Sequence, residues 1–354
     1  MSDFFAEHAD RLAAFSAMSQ SVGARADYVQ GGGGNSSVKL AGGLMAIKAS
    51  GYRLSDIRPD AGYAVLDGAA VRDFYMRHES GDFANVEREG AAFTRAQIRQ
   101  IDGLAPLRPS VETGFHALLR RYVIHSHSVY ANLAACAEEC EAILQKAFDG
   151  APFSWGCVPY TDPGACLSFS IRDELAAVKR RTGREPAVIV MRNHGLIVHA
   201  ETAEDCLSLH AEANGRAAAA FGLKDGSFPQ TGIRPAPEGG FMSDTPYLME
   251  KLRGGGYPDE RLLRAPLYPD QMVFLTGTLG YAARIDRGSG RLHYDMQEEA
   301  ARAVEDTLTA VVFISETLRA AGCTLSTMDE AARAFIANWE SERYRKKLAE
   351  EGRS

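Results

Sequence analysis

The chain has 354 residues, 45% of them hydrophobic, which is enough for one large domain or two smaller ones with proper cores. A net charge of -7, a pI of about 5.8 and the absence of a basic stripe exclude nucleic acid and anionic membranes as expected partners, and no apolar run reaches the roughly 18 residues of a spanning helix. The six cysteines are scattered without a CxxC pair, which argues against a disulfide framework. The N-terminus is amphipathic and acidic, unlike a signal peptide. Together these features predict a cytoplasmic location.

The first part of the chain mixes helical and extended patterns. Its predicted elements, in chain order, are a helix at 3–22, a strand at 44–50, a strand and a helix within 64–78, a helical piece at 94–101, a helix capped by Ser110, a strand at 122–128, a helix at 130–144, a short strand at 156–160, a helix at 174–181, paired strands within 187–200, and a helix capped by Thr202. Because these elements follow no regular βαβ rhythm, they favour an α/β architecture with a largely antiparallel sheet.

Gly, Pro and Ser are frequent at 223–243, which predicts a linker or long loop between a larger unit at 1–222 and a C-terminal extension at 244–354. The predicted elements of the extension are a short helix at 245–253, strands at 272–276 and 281–285, and two long helices, the second starting at 326–329. Each long helix carries an apolar stripe, which in the second helix includes Trp339 and predicts packing in the core or at a subunit interface. Residues 340–351 predict a solvated charged face.

Two histidines alternate along one predicted strand. In IHSHS, His125 and His127 share a face of the strand because successive side chains point to opposite faces. His194 lies in NHG, where the glycine permits a sharp turn at a strand end, and Glu112 and His116 are one helical turn apart. Three neutral imidazoles are a usual ligand set for a catalytic divalent ion, with one position open for substrate or water. The alternatives are two polar residues on a solvated face and a packed or capping histidine at His116.

A glycine run precedes these motifs. The loop Gly31–Gly34 can approach an anion closely because no Cβ intervenes, and successive N–H groups form a nest for a phosphate. Polar turns and the N-terminal end of a helix supply further donors. The candidate phosphate-binding residues are Gly34, Asn35, Ser36, Ser50, Gly51 and Ser110. Lys48 is interpreted either as a further contact or as an exposed lysine, and the alternative for the whole cluster is that the glycines merely form a loop.

These motifs occur in a characteristic order. GGGGNSSVK, IKASGYRL, PSVETGFH, IHSHS, VPY and RNHGLIVHAETAEDC resemble, in order and spacing across about residues 25–220, the class II aldolase/adducin superfamily. The GGGGN loop and the extension are most similar to the aldolase part of the bifunctional rhamnulose-1-phosphate aldolase/dehydrogenase proteins. No GxGxxG loop of a dehydrogenase domain occurs in this chain.

The resemblance implies an α/β/α fold with a central, largely antiparallel sheet and a mixed α/β C-terminal extension, and it makes 1–222 the metal-binding catalytic domain. It implies that His125, His127 and His194 bind Zn²⁺ or another divalent transition metal. It also implies that Glu112 is catalytic. Tyr160 corresponds to a tyrosine that a neighbouring subunit contributes as a proton donor, within a homo-oligomer that is a tetramer.

The implied activity is metal-dependent retro-aldol cleavage of a ketose 1-phosphate, such as rhamnulose or fuculose 1-phosphate, to dihydroxyacetone phosphate and an aldehyde. The alternatives are an epimerase or dehydratase of a sugar phosphate on the same fold, or a non-catalytic adducin-like scaffold, against which the complete set of histidines and glutamate argues. Val111 stands where the resembled phosphate-binding aldolases have a second serine. A non-phosphorylated hydroxy-keto acid and a different sugar phosphate therefore also stay open.

Overall fold

The centre of the computed structural model, which describes residues 3–255, 257 and 264–338, is an eight-stranded sheet. Its strands are β1 (Asn35–Lys39), β2 (Leu44–Lys48), β3 (Tyr63–Asp67), β4 (Ile98–Arg99), β5 (Tyr122–Ser126), β6 (Trp155–Val158), β7 (Val188–Met191) and β8 (Gly195–Ala200). They lie in the order β4-β3-β2-β1-β5-β8-β7-β6, and every neighbouring pair is antiparallel except β6 and β7. The prediction of a largely antiparallel sheet is confirmed.

Helices cover the sheet. Those of this part are α1 (Asp3–Glu7), α2 (Ala9–Gly23), α3 (Gly68–Arg77), α4 (Val86–Ala96), α5 (Thr113–Leu118), α6 (Val129–Ala135), α7 (Cys140–Ala147), α8 (Ala165–Thr182) and α9 (Ala203–Ala219). Among the described residues, no helix combines the length and the apolar character that crossing a lipid bilayer requires.

Neighbouring residues of the central strands point into different cores. Ile124 and Val198 belong to a core that includes residues of α2, α6 and α9. Val123 and Ile197 belong to another core, together with residues of α5 and α8. Strands covered on both faces consist of continuous apolar runs, as in VIVM of β7. The sheet is therefore the middle layer of an α/β/α arrangement, as predicted.

Two helices start at other residues than predicted. Helix α8 starts at Ala165 rather than at 174, because the Glu87 carboxylate accepts hydrogen bonds from two backbone N–H groups of its first turn, each 2.8 Å long. Helix α5 starts at Thr113, with Glu112 rather than Ser110 at the cap position. This later start leaves Glu112 outside the first helical turn.

The other differences are interruptions of predicted helices. The helix expected at 3–22 is broken at His8, and the piece expected at 94–101 is the end of α4 followed by β4. The helix expected at 130–144 is broken at 136–139, where the backbone N–H of Glu138 donates to the Thr324 carbonyl at 2.9 Å. Pairing with a distant segment thus overrides the local helical pattern.

The C-terminal extension adds a second sheet. Its elements are β9 (Ile233–Pro235), β10 (Phe241–Ser243), α10 (Pro246–Leu252), α11 (Pro269–Leu275), β11 (Ala283–Asp286), β12 (Arg291–Tyr294), α12 (Glu298–Ala320) and helical residues 330–338. The strands form an antiparallel sheet in the order β11-β12-β10-β9. Two of these strands lie within 223–243, and the division of the chain at that stretch stays a prediction.

One predicted strand of the extension is wrong. The apolar run at 272–276 lies mostly in helix α11, which Pro269 begins at a position that suits its fixed φ. A short apolar run does not distinguish a strand from a buried helix. The strand predicted at 281–285 overlaps β11, whereas Trp339 and 340–351 lie outside the described residues.

Asn193 joins the extension to the turn between β7 and β8. It is the non-glycine residue with positive φ (51°) in the described part of the chain. Its side-chain Nδ2 donates to the carbonyls of Leu267 at 2.9 Å and Ser326 at 3.0 Å. A left-handed asparagine therefore shapes the turn and also fixes the extension against it.

Replacing Asn193 with alanine is expected to destabilise the protein by about 2–4 kcal/mol, because it removes two buried hydrogen bonds and leaves a residue with Cβ in the left-handed region. Asn193→Gly loses the same bonds but tolerates the φ, so its loss should be smaller by about 1 kcal/mol. Denaturant titration of the two variants measures both effects. Equal stabilities of N193A and N193G would show that the backbone conformation contributes nothing.

Candidate metal centre

Three histidines converge at the ends of adjacent strands. His125 lies in β5, His127 follows this strand directly, and His194 ends the turn that leads into β8. Strands β5 and β8 are antiparallel neighbours with Ser126 opposite Leu196, so the turn lies beside His127. All three rings are buried, and one ligand nitrogen from each lies within 4.8 Å of the others. The structure therefore brings together the three predicted metal ligands.

Hydrogen bonds assign the protons of two of these rings. The Nδ1–H of His125 donates to the Leu196 carbonyl at 3.1 Å, and the Nδ1–H of His127 donates to Oδ2 of Asp270 at 2.5 Å. When both rings are neutral, as metal ligands must be, their Nε2 atoms carry lone pairs, although these atoms are only 3.1 Å apart. Two lone pairs at this distance repel each other, and a cation between them turns the repulsion into attraction.

Glu112 faces the same point. Its Oε2 lies 3.5 Å from Nε2 of His125, and its Oε1 lies 3.3 Å from Nε2 of His194. Oε1 is buried and has no hydrogen-bond partner among the described residues. An unsatisfied buried carboxylate oxygen is costly, and a cation held by the three imidazoles would satisfy it. The donor set thus fits a divalent metal ion.

Burial keeps two of the rings neutral. It lowers the pKa of His125 to about 4, and it lowers the pKa of His194 well below the usual range, to which repulsion from the other two imidazoles adds. Burial also acts to lower the pKa of His127, but the Asp270 carboxylate outweighs it and the pKa is raised. His125 and His194 therefore offer lone pairs at neutral pH, as metal ligands must.

A chain of hydrogen bonds, starting at Ser37, ends at Oε2 of Glu112. The Ser37 hydroxyl donates to Nδ1 of His116 at 2.8 Å, Nε2–H of His116 donates to Oδ1 of Asn35, and Nδ2 of Asn35 donates to Oε2 of Glu112 at 2.6 Å. Burial, together with the nearby Lys39 charge, holds the pKa of His116 well below the usual range, which keeps the ring neutral. His116 is thus a packed, hydrogen-bonded histidine, which was one of its two interpretations.

Asn35 and Ser36 differ from their predicted role as phosphate donors. The second N–H of the Asn35 amide donates to Ser110 Oγ at 3.1 Å, so that both of its donors are in use. Ser36 points to the other face of β1, where its fully buried hydroxyl lies 2.7 Å from that of Ser19. The alternation of side chains along the strand accounts for this difference. Ser110 lies beside Glu112 and accepts a hydrogen bond from its backbone N–H at 3.3 Å.

The glycine loop approaches the histidines as well as the solvent. A Cβ on Gly34, whose φ is +66°, would lie 2.6 Å from the His125 carbonyl oxygen, and one on Gly33 would lie 2.4 Å from Oδ2 of Asp270. Only glycine allows the loop to pack this closely on β5 and on the partner of His127. The loop is therefore part of the frame of the candidate metal centre.

The remaining candidate phosphate residues lie in the turn that follows β2. Ser50 is half-buried and its N–H donates to the Arg108 carbonyl at 2.8 Å, while Gly51 (φ +88°) faces open space. Lys48 is buried rather than exposed, and its ammonium donates to the carbonyls of Gly32 at 3.3 Å and Tyr52 at 2.5 Å. A positive charge thus lies against the glycine loop.

Tyr160 lies apart from this cluster. Its ring packs with Met272 and Met328 of the extension, and burial raises the pKa of its hydroxyl above the usual range. The structure places Tyr160 with the extension rather than in the cluster of histidines. Asp270 of the extension is by contrast in direct contact with His127.

The buried cluster of three imidazoles and a carboxylate on a mixed α/β fold defines a class of protein, namely an α/β protein with a candidate metal centre. The chain belongs to the family described as Class II Aldolase and Adducin N-terminal domain, whose model matches residues 14–221. No curated protein matches the chain.

The chain is also similar to several solved structures at low sequence identity. The chain is similar to an N-terminal class II aldolase domain of a conserved protein from Thermoplasma acidophilum, with 22% identity and a TM-score of 0.47 over 57% of this chain and 90% of the other. It is also similar to an L-fuculose-1-phosphate aldolase from Thermus thermophilus, with 16% identity and a TM-score of 0.36 over 59% and 92%. A third similar structure, from Klebsiella pneumoniae, is described as an aldolase, epimerase or decarboxylase, with 17% identity and a TM-score of 0.40 over 60% and 89%.

Proposed function

We propose that the protein is a metal-dependent lyase that cleaves a ketose 1-phosphate, such as rhamnulose or fuculose 1-phosphate, to dihydroxyacetone phosphate and an aldehyde. One observation carries this proposal: three imidazole nitrogens surround a point that a buried, unpartnered oxygen of Glu112 also faces. A non-catalytic scaffold would not account for this arrangement, because the buried, unpartnered Glu112 oxygen costs free energy unless an ion or substrate satisfies it.

His125, His127 and His194 would hold the ion, for which we propose zinc. When bound, a divalent ion supplies Lewis-acid stabilisation of the negative charge that develops on a substrate oxygen as the carbon–carbon bond breaks. Imidazoles also suit other divalent transition metals, so metal analysis of the purified protein decides the identity.

Glu112 moves the proton at the substrate carbon that loses its bond. Asn35 fixes one carboxylate oxygen, so the other is held towards the histidines without a competing donor. Such a fixed, buried carboxyl group is suited to general acid–base catalysis, because its reactive oxygen needs no reorganisation. Tyr160 would exchange the proton of the aldehyde oxygen in the site of a neighbouring subunit, which requires that its buried hydroxyl be exposed there on assembly, and a homotetramer is part of this proposal.

The proposed phosphate site is smaller than the sequence predicted. Both N–H groups of Asn35 are in use and Ser36 lies on the other face of β1, which leaves Ser110, the turn Ser50-Gly51, the backbone of Gly34 and the nearby ammonium of Lys48. The buried ammonium of Lys48, which lies at the carbonyl of the exposed Gly32, supports a sugar phosphate as the substrate class.

Incubation of the metal-loaded protein with dihydroxyacetone phosphate and lactaldehyde tests the proposal. We expect a ketose 1-phosphate to form, and its formation to stop when a chelator removes the metal and to resume when zinc is restored. Interconversion of pentulose phosphates without release of products would instead identify an epimerase, and loss of water from a sugar phosphate would identify a dehydratase. Bound metal with none of these reactions would contradict the proposed function.

A further inference from the structure

The hydrogen-bond partner of His127 comes from outside the region that the family model matches. Asp270 is in the first turn of α11, in the extension, whereas the match ends at residue 221. Its Oδ2 lies 2.5 Å from Nδ1 of His127. Asp270 is only 5% exposed and His127 only 6%. The contact is therefore a desolvated pair across 143 positions of sequence.

The surroundings of this pair allow little movement. A Cβ at Gly33 would lie 2.4 Å from Oδ2 of Asp270 and 2.8 Å from Nδ1 of His127, so that the glycine loop leaves no spare space beside the bond. The ring of Tyr268 packs edge-on at 6.4 Å from that of His127, and its hydroxyl donates to Oε1 of Gln30 at 3.4 Å. These contacts fix the imidazole from two sides.

The extension also packs against Gly31, at the start of the glycine loop. A Cβ on Gly31 would lie 2.7 Å from Phe274 and 2.9 Å from the methyl group of Ala303. Asn193, immediately before His194, is bonded to the extension as well. Two of the three histidines are thus supported by residues beyond the matched family region.

A carboxylate that accepts from Nδ1–H has a defined effect on the opposite nitrogen. It fixes the tautomer with the lone pair on Nε2, sets the angle of the ring and makes Nε2 more basic. In this chain that lone pair points towards Nε2 of His125, 3.1 Å away. The metal would bind between these two nitrogens. Other charges face His127, since Lys48 and Glu112 act on it electrostatically, but the bond to Nδ1 comes from Asp270.

We propose that Asp270 is a positioning residue that sets the metal affinity of the centre through His127, so that the metal centre is incomplete without the C-terminal extension. This inference rests on the proposed function only in that the histidines bind a divalent cation. It assigns to the extension a role in the site rather than in packing alone.

Zinc affinity of the full chain, measured by competition with a chromogenic chelator, tests the proposal. We expect Asp270→Ala to weaken zinc binding about 10–100-fold, the usual effect of removing such a partner. Asp270→Asn keeps an acceptor for Nδ1–H but not the charge, so its loss should be smaller. Asp244→Asn, which removes the same charge from an exposed residue of the extension paired with Arg234, should bind zinc like the wild type.

A second pair of variants leaves Asp270 in place. Gly33→Ala inserts a methyl group against Asp270 and His127, whereas Gly32→Ala has no atom nearer than the Tyr52 carbonyl oxygen at 4.0 Å. Neither glycine has a positive φ, so alanine fits both backbones. We expect weaker zinc binding in G33A and wild-type affinity in G32A, so the comparison remains decisive if D270A does not fold.

Nitrogen-15 NMR of the histidine rings in the metal-free protein reports the tautomer of His127 directly. We expect the Nδ1–H form in the wild type and a mixture of tautomers in D270A. Wild-type zinc affinity in both D270A and G33A would overturn the proposal and leave the proposed function intact. Weaker binding in these variants with no aldol reaction in the wild type would overturn the proposed function alone, and a wild-type protein that binds no divalent metal would overturn both.

Discussion

Replacing His194 with alanine is expected to remove the metal from the purified protein and to lower the rate of ketose cleavage by about 10³-fold or more. The other two histidines remain, but two imidazoles do not complete the ligand set of a catalytic ion. Loss of a partner behind a ligand already costs 10–100-fold in affinity, and loss of the ligand itself should cost more than about 100-fold. Lewis-acid stabilisation is worth several kcal/mol, and each 1.36 kcal/mol corresponds to a tenfold change in rate.

Metal content by elemental analysis and the rate of aldehyde release measure the two effects of H194A. His199→Ala is the matched control, because His199 is also a buried histidine of β8, but its Nε2–H donates to the Pro186 carbonyl at 2.8 Å, away from the cluster. This control should lose stability but keep its metal. An H194A protein with one metal per chain and an unchanged rate would contradict the metal centre described here.

Replacing Glu112 with glutamine is expected to leave metal bound while lowering kcat about 10²–10⁴-fold, the usual contribution of a general acid–base group. The amide oxygen can still accept from Asn35, but the group that replaces Oε1 cannot carry a proton to and from carbon. The change therefore separates proton transfer from metal binding, which removal of a histidine does not.

Steady-state kinetics and metal analysis of the same E112Q preparation check this prediction. Glu201→Gln is the control, since Glu201 is exposed just after β8 and lies 3.8 Å from Arg121. It should retain both the metal and the rate. Full activity of E112Q with bound zinc would remove Glu112 from the mechanism.

The sequence pattern was sufficient where a local rule decides the geometry. Period-two alternation predicted that His125 and His127 share a face, and the NHG motif predicted a turn at His194. The apolar runs VIVM and GLIVHA predicted paired, buried strands. Each of these inferences needs only a few neighbouring residues, because strand geometry repeats every two residues.

The same rule, applied consistently, would have separated Asn35 from Ser36. Adjacent residues of a strand point to opposite faces, so Asn35 and Ser36 cannot both reach one anion with their side chains. Both are nevertheless among the phosphate-binding residues that the glycine motif predicts. In the structure the strand starts at Asn35, immediately after the last glycine.

Asp270 could not be predicted from the sequence in this way. It is 143 positions away from His127, in a segment whose neighbours at 272–276 resembled a strand. No periodicity connects such distant residues, and only the packing of α11 against the glycine loop brings them together. The start of α8 has the same explanation, since its cap, Glu87, comes from a distant helix.

The separation of His127 from Asp270 also has a consequence for biosynthesis. A nascent chain leaving the ribosome presents all three imidazoles well before it presents the carboxylate that orients one of them, because domains fold from the N-terminal end as they emerge. If Asp270 sets the metal affinity as proposed, full affinity for the cation follows only after α11 is translated and docked.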